Sequence, residues 1–317
     1  MTWKFETNGI PRADWMRRQA EIEAILNKNI IDIVEVKGNK RYILLQTVTA
    51  RTALSKNEIW KDNYLSPNGD FELVCGKSMK GHFIFDLAST PHILIGGGTG
   101  SEKSFLLKLL LLQCIKKGAM VFIADLKGGL DFPVVWHNHC EIITEEEKVL
   151  DLLTKITSEL ERRRELFVSH EASNITEFNK KCETLPRIIF ACDEVAEILD
   201  KTGLDKEHKE IVAQVENKLS TLARLGRAFG IHLILAMQRP DAAVLTGQIK
   251  ANLPLRICGR ADSILSQIIL DNSDAAENIP KDAQGLFLTN WGTKFQSFIL
   301  NEQNMFTDIA DNPTDIS

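Results

Sequence analysis

Short apolar runs alternate with longer amphipathic stretches through most of the chain. HILI (92–95), AMVFIADL (119–126), RIIFACDE (187–194), GIHLILAMQ (230–238) and LPLRICGR (253–260) read as strands. Strands that are apolar on both faces are buried on both, which is the signature of a mostly parallel sheet flanked by helices. Residues 145–168 and 211–227 have helical spacing and many charges between those runs. FLLKLLLLQCI (105–115) is the most apolar helix, too short to span a bilayer and interrupted by Lys108. Upstream, 12–26 has helical spacing, with Trp15, Ala20, Ile22, Ala24 and Ile25 among charges. IIDIVEV and RYILLQTV flank Gly38-Asn39 as a β-hairpin, and FELVCG and GHFIFDL read as two further strands. The pattern predicts a small α+β module over 1–88, an α/β core over 89–303 and a flexible tail over 304–317. The run Glu161-Arg162-Arg163-Arg164-Glu165 falls mid-helix and reads as a solvated, ion-paired face.

The chemistry concentrates where the first core strand ends. PHILIGGGTGSEKSF (91–105) is a strand, a glycine-rich turn and a helix start. It nearly satisfies the phosphate-binding pattern G-x-x-x-x-G-K-[ST]. Counted from Gly97, the second required glycine falls on Glu102. Consecutive backbone N–H groups in such a turn form an anion-binding concavity, and the helix N-terminus adds positive dipole. The expected nucleotide-binding segment is Gly97, Gly98, Thr99, Gly100, Ser101, Glu102, Lys103, Ser104 and Phe105. In it Lys103 reaches the terminal phosphates and the Ser104 hydroxyl holds Mg²⁺. Glu102 adds a side chain and a negative charge beside an already negative ligand, so ATP binding is expected to be impaired.

Two further strand ends complete the constellation. RIIFACDE closes on Asp193 and Glu194, at the edge of a parallel sheet where open α/β folds bind ligands. Asp193 is expected to complete the Mg²⁺ site and Glu194 to deprotonate an attacking water. Gln238 ends GIHLILAMQ and can sense both γ-phosphate and water. Arg227 closes the preceding helix. It is either a charge complementing the helix dipole or an arginine finger reaching a neighbouring subunit, with Arg224 as the alternative finger.

Composition narrows the picture modestly. The 317 residues are 44% hydrophobic and 26% charged, as in ordinary globular proteins. A net charge of −5 gives no bulk attraction to a polyanion, so any such contact needs a local basic surface. Lys127 and Lys250 are the candidates for it. Cys75, Cys114, Cys140, Cys182, Cys192 and Cys258 are scattered and read as reduced thiols. His137, His139 and Cys140 lack any partner that would complete a metal site. No signal peptide opens the chain, so the expected location is cytoplasmic.

The order GGGTGSEKS, ADLK, ERRRELF, FACDEVAEIL, GRAFGIHLILAMQRP, TGQIKANLPLRI, ILD and NIPKDAQGLFL resembles the FtsK/SpoIIIE family over about residues 76–298. The resemblance implies a RecA-like P-loop ATPase core. It further implies ATP and Mg²⁺ as cofactors, a homohexameric ring and double-stranded DNA as substrate. The family carries glycine where Glu102 stands and often Asp-Pro-Lys where Asp125-Leu126-Lys127 stands. Chromosome-segregating members have a lysine near the position of Ser263 and a C-terminal winged-helix reader that this chain lacks. The likeness is therefore greater to coupling ATPases of conjugative plasmids and integrative elements, with a relaxase and membrane-bound transfer or division machinery as implied partners. Such relatives carry N-terminal membrane helices, and none is present in this sequence, so it is expected to be a soluble piece or a naturally soluble variant, with attachment to the inner membrane face through partners or through an N-terminal segment not in the sequence. Two alternatives stay open: a type VII-like secretion ATPase, disfavoured by the single P-loop, and a non-catalytic ring subunit.

Overall fold

The computed structural model describes residues 1–50, 54–66, 71–238, 245, 247–302 and 305–306. The chain opens with β1 (Thr2–Glu6), α1 (Arg12–Arg17), α2 (Gln19–Leu26), β2 (Lys28–Val36) and β3 (Asn39–Thr49). These form a three-stranded antiparallel sheet in the order β1-β3-β2, with Ile30, Ile33, Ile43 and Leu45 packed under Trp3, Trp15 and Ile22. The helix expected over 12–26 breaks at Arg18. Each half has its own anchor on β2: Arg12 Nε donates to the Ile33 carbonyl at 2.7 Å, and Gln19 Nε2 to the Ile30 carbonyl at 3.2 Å.

Next come β4 (Glu72–Ser78), β5 (Gly81–Asp86), β6 (His92–Gly96), α3 (Lys103–Lys116), β7 (Met120–Ala124), α4 (Val134–His137), β8 (Glu141–Ile143) and α5 (Glu146–Ser169). They are followed by α6 (Ile175–Lys181), β9 (Ile188–Cys192), α7 (Val195–Leu199), α8 (Lys206–Phe229) and β10 (Ile231–Met237). The last elements are α9 (Gly247–Ala251), β11 (Leu255–Cys258), α10 (Ser263–Leu270), α11 (Asp274–Asn278), β12 (Leu286–Thr289) and β13 (Lys294–Ser297). Ten strands form one sheet in the order β5-β4-β13-β12-β11-β6-β10-β9-β7-β8. The run from β11 to β8 is parallel, and the run from β5 to β11 antiparallel. The fold is thus an α/β, RecA-like P-loop core with a large, mostly parallel sheet.

The large sheet takes in β4 and β5, which lie inside the stretch 1–88 expected to be a separate module. The reason is burial on both faces. Leu73, Val74 and Cys75 are fully buried, and a Cβ at Gly76 would overlap the Gln296 carbonyl on β13. Only the first fifty residues or so form the separate small sheet. The expected tail also begins later than position 304. Met305 and Phe306 are buried, and Phe306 stacks on His139 at 4.3 Å and meets Trp136 edge-on at 5.1 Å. The rest of the tail lies outside the described residues.

One core lies on each face of the large sheet. Helix α3 fills one: Leu106, Leu107 and Leu109 to Leu112 are all fully buried, as an all-round apolar helix must be. Helices α5, α7, α8 and α10 cover the other. Arg164 pairs with Glu161 on the surface as expected, but Arg162 reaches inward to the buried Glu159 and Arg163 is only 1% exposed. Its guanidinium donates to Glu159 and to the carbonyls of Phe229 and Pro186, at 2.7–2.9 Å. Three acceptors around one planar fork make this burial tolerable and tie α5 to the end of α8 and the start of β9.

Candidate nucleotide site

Because β11, β6, β10, β9 and β7 are parallel, their C-terminal ends lie along one edge of the sheet. That edge gathers the glycine-rich loop after β6, Asp193-Glu194 after β9, Gln238 after β10, Asp125 after β7 and Arg260 after β11. Ligands bind at this edge in open parallel sheets.

The loop is held from two sides. Gly97 N donates to the Met237 carbonyl at 3.2 Å and Gly98 N to the Arg260 carbonyl at 2.7 Å. The Arg260 guanidinium donates to the Thr99 and Lys281 carbonyls. A side chain at Gly100 would run into that guanidinium. Inside the loop, Ser101 Oγ is buried without a hydrogen-bond partner among the described residues. Glu102 adopts φ 67°, ψ 29°, the left-handed conformation that glycine reaches without a Cβ clash. Its carboxylate turns toward the opening of β12, where a Cβ on Gly285 would meet Oε2 at 3.1 Å.

Lys103 is 5% exposed, and its ammonium donates to the Asp193 carbonyl and, at 3.2 Å, to Asp193 Oδ1. Ser104 Oγ donates to the same Oδ1 at 2.9 Å, and Lys127 Nζ reaches Oδ2 at 3.0 Å. Burial pushes the Asp193 carboxyl up, but Lys103 and Lys127 outweigh it and hold it below its usual value. Glu194 differs, for burial raises it despite Lys103 and the Gln238 N–H. Gln238 N donates to both Glu194 oxygens, at 2.9 and 3.2 Å, while its side-chain amide donates to Thr99 Oγ1 at 2.5 Å. Gln238 therefore bridges the loop and the carboxylate.

Six side chains singled out from the sequence thus meet here: Thr99, Lys103, Ser104, Asp193, Glu194 and Gln238. Phe105 lies in the first turn of α3 and is 45% exposed. Arg227 is elsewhere. It precedes β10, at the opposite edge of the sheet, where its Nε donates to the Ala88 carbonyl. It is not part of the site formed by its own chain. Lys127 and Lys250, the candidates for a basic surface, are both paired: Lys127 with Asp193, Lys250 with Asp271 at 2.5 Å.

Sequence reasoning missed Asp125 and Arg260 as site residues and put Lys127 to another use. All three follow apolar parallel strands, which is the signal that could have found them. Asp125 is buried, with Oδ2 lacking a partner among the described residues and Oδ1 accepting from Lys127 N at 3.1 Å. Burial, with Asp131 and Asp193 nearby, raises its carboxyl.

The donor set fits a magnesium nucleotide. Asp193 Oδ1 and Ser104 Oγ are adjacent oxygen donors of the hard kind magnesium takes, beside the N-terminus of a fourteen-residue helix. Among the described residues, no helix is long and apolar enough to cross a membrane, and no cluster of His, Cys, Asp and Glu could hold a metal by itself.

Comparison with known proteins shows the family and the fold. The sequence model of the FtsK/SpoIIIE family matches residues 56–217, about half the chain. The DNA translocase FtsK of Campylobacter jejuni is 34% identical over 271 residues, covering 81% of this chain and 26% of that protein. The DNA translocase FtsK of Treponema pallidum is 33% identical over 298 residues, covering 87% of this chain and 34% of that one. This chain therefore spans about a quarter to a third of the length of these relatives. Among solved structures, the pCW3 conjugation coupling protein TcpA, in monomer form with ATPγS, superposes with a TM-score of 0.78 at 37% identity. That match covers 96% of this chain and 86% of TcpA. The type VII secretion ATPase EccC of Thermomonospora curvata shares the fold, with a TM-score of 0.61 at 24% identity over 76% of this chain and 30% of EccC.

Proposed function

The chain belongs to the FtsK/SpoIIIE family, and from that premise we propose that it is the ATPase motor of a ring that moves double-stranded DNA, in the service of conjugative transfer. The observation carrying this reading is the meeting of Lys103, Ser104, Asp193, Glu194 and Gln238 at one sheet edge, against the N-terminus of α3. The likeness to FtsK relatives supports DNA as the substrate, and the likeness to TcpA supports transfer as the setting.

Each residue has a role that its position suits. The N–H groups of the loop and of the first turn of α3 bind phosphate oxygens. Lys103 neutralises the terminal phosphates, leaving its present contacts on Asp193 to do so. Ser104 and Asp193 would hold Mg²⁺, which when bound neutralises charge on the β- and γ-phosphates. Glu194 takes a proton from the attacking water, and its raised carboxyl suits a base better than a free glutamate does. Gln238 bonds both the loop and Glu194, so a change at the γ-phosphate reaches the base through one residue. Arg227 serves a neighbouring subunit as the finger, since it sits across the sheet from its own site.

A second reading, a ring subunit with weakened nucleotide binding, is favoured by one feature: Glu102 sits where the backbone needs a left-handed residue. Duplex-stimulated ATP hydrolysis by this chain and by Glu102→Gly separates the two. The motor reading expects hydrolysis that rises with duplex DNA in Glu102→Gly and falls steeply with salt as phosphate contacts are screened. Hydrolysis indifferent to duplex at every salt concentration would reject it.

A further inference from the structure

Arg260 follows β11 and directs its charge at the glycine-rich loop. Its guanidinium donates to two carbonyls at once, those of Thr99 and Lys281, the latter at 2.6 Å. Its own carbonyl accepts the Gly98 N–H at 2.7 Å. Among the described residues no carboxylate pairs with it. A charged donor on a neutral carbonyl makes a strong hydrogen bond, and a planar fork fixes both acceptors in one geometry. The loop is thereby fastened to the segment that precedes β12. That segment also donates the Gly285 N–H to the Ser101 carbonyl at 3.2 Å.

The bond to Thr99 fixes one particular peptide. In a planar trans peptide the carbonyl and the following N–H point in opposite directions. With the Thr99 carbonyl held on Arg260, the Gly100 N–H is turned away from Arg260, and it has no acceptor among the described residues. Gly100 adopts φ 73°, and glycine tolerates either orientation of the peptide before it, so the backbone alone does not prevent a flip. A flip would put a carbonyl oxygen where a phosphate oxygen binds. Thr99 also serves the other limb of the site. Its hydroxyl accepts from the Gln238 side chain, and Gln238 N donates to Glu194. Thr99 is thus held by Arg260 through its carbonyl and by Gln238 through its hydroxyl.

We infer that Arg260 is a positioning residue of the nucleotide site. It locks the Thr99–Gly100 peptide with the Gly100 N–H free for a phosphate oxygen, and through Thr99 it sets Gln238 and Glu194 against the loop. It acts through the loop rather than on the nucleotide. The inference rests on the nucleotide-site reading above and is independent of DNA and of the ring. Lysine is no substitute for it, because an ammonium is a point charge without the rigid fork that spans both carbonyls.

The test uses the full chain with Glu102→Gly as the parent, its glycines labelled for amide spectra. Calorimetry with Mg-ATPγS reads affinity, the spectra read the Gly100 amide, and ATP hydrolysis reads kcat. Arg260→Ala should weaken ATPγS about ten- to a hundredfold, the loss of one charged hydrogen bond. The downfield shift that ATPγS gives the Gly100 amide in the parent should disappear. Arg260→Lys, which keeps the charge and guards against misfolding of the alanine variant, should restore neither the affinity nor the shift. Thr99→Val removes the hydroxyl and keeps the carbonyl. It and Arg260→Ala should each lower kcat about ten- to a hundredfold by misplacing Glu194. Combining the two should cost no more than about threefold further, because residues in one chain of contacts do not act additively. Parent affinity and an unchanged Gly100 shift in Arg260→Ala overturn the latch and leave the nucleotide site standing. Losses in kcat that multiply overturn the route through Thr99. Absence of ATPγS binding by the parent overturns latch and site together.

Discussion

Glu102 is where sequence and geometry weigh against each other most sharply. Two costs act there: a left-handed backbone at φ 67° and a carboxylate in a phosphate-binding loop. A non-glycine residue in that conformation costs about 1–2 kcal/mol. The backbone cost is already present without nucleotide and so lowers stability, whereas the charge acts on the ligand, lessened because the carboxylate turns toward Gly285. We expect Glu102→Gly to tighten Mg-ATP binding about ten- to a hundredfold, each tenfold being about 1.4 kcal/mol. Glu102→Ala, which removes the charge but keeps the backbone cost, should recover most of that affinity while remaining less stable to unfolding than Glu102→Gly. Calorimetric titration of the three proteins checks it, and equal affinities would refute it. A second expectation concerns pH. Glu194 must be ionised to accept a proton, and burial raises its carboxyl. Turnover by Glu102→Gly should therefore fall as pH drops through a pKa above the usual carboxylate value. Glu194→Gln in that background should abolish turnover while leaving nucleotide affinity within about threefold, near 0.6 kcal/mol. A flat profile down to the ordinary carboxylate range would contradict the assignment.

At the scale of elements, α5 carries the clearest expectation. Arg163 lies between Glu159 and two carbonyls, far from solvent. Arg163→Ala leaves the Phe229 and Pro186 carbonyls unpaired while Glu159 keeps Arg162, so it should cost about 2–4 kcal/mol in denaturant unfolding. Glu159→Gln added to it should not restore stability, because the Glu159 charge is still paired with Arg162 in the single variant. Nucleotide affinity of the folded variant should not change, because this cluster sits at the edge opposite the loop. The sequence pattern located the core elements well, since apolar parallel strands announce themselves by composition alone. It misjudged Arg163 because helical charge runs look alike whether they face water or a neighbouring carbonyl. It placed β4 and β5 in the wrong sheet because antiparallel strands join across long sequence distances; β4 pairs with β13, over two hundred residues away. Lys103, Ser104, Asp193 and Glu194 were legible as motif residues. Arg260 was not, because its contact with Thr99 depends on β11 lying beside β6, which spacing does not encode.

For the whole molecule, the separation of Arg227 from Lys103 by the width of the sheet makes shared active sites the central expectation. In a Glu102→Gly background, Arg227→Ala should bind nucleotide and lose turnover by about 10³-fold or more, as removal of a finger does. Mixing it with Glu194→Gln should recover a fraction of the activity, because some interfaces then pair an intact finger with an intact base. Lack of recovery in properly assembled mixtures would make Arg227 a structural charge. A motor on duplex DNA makes the most direct claim of all, and triplex displacement tests it. Glu102→Gly should strip a third strand from a linear duplex only with hydrolysable ATP, and Glu194→Gln in that background should not. A protein that binds duplex and hydrolyses ATP, yet leaves the third strand in place, would contradict the account.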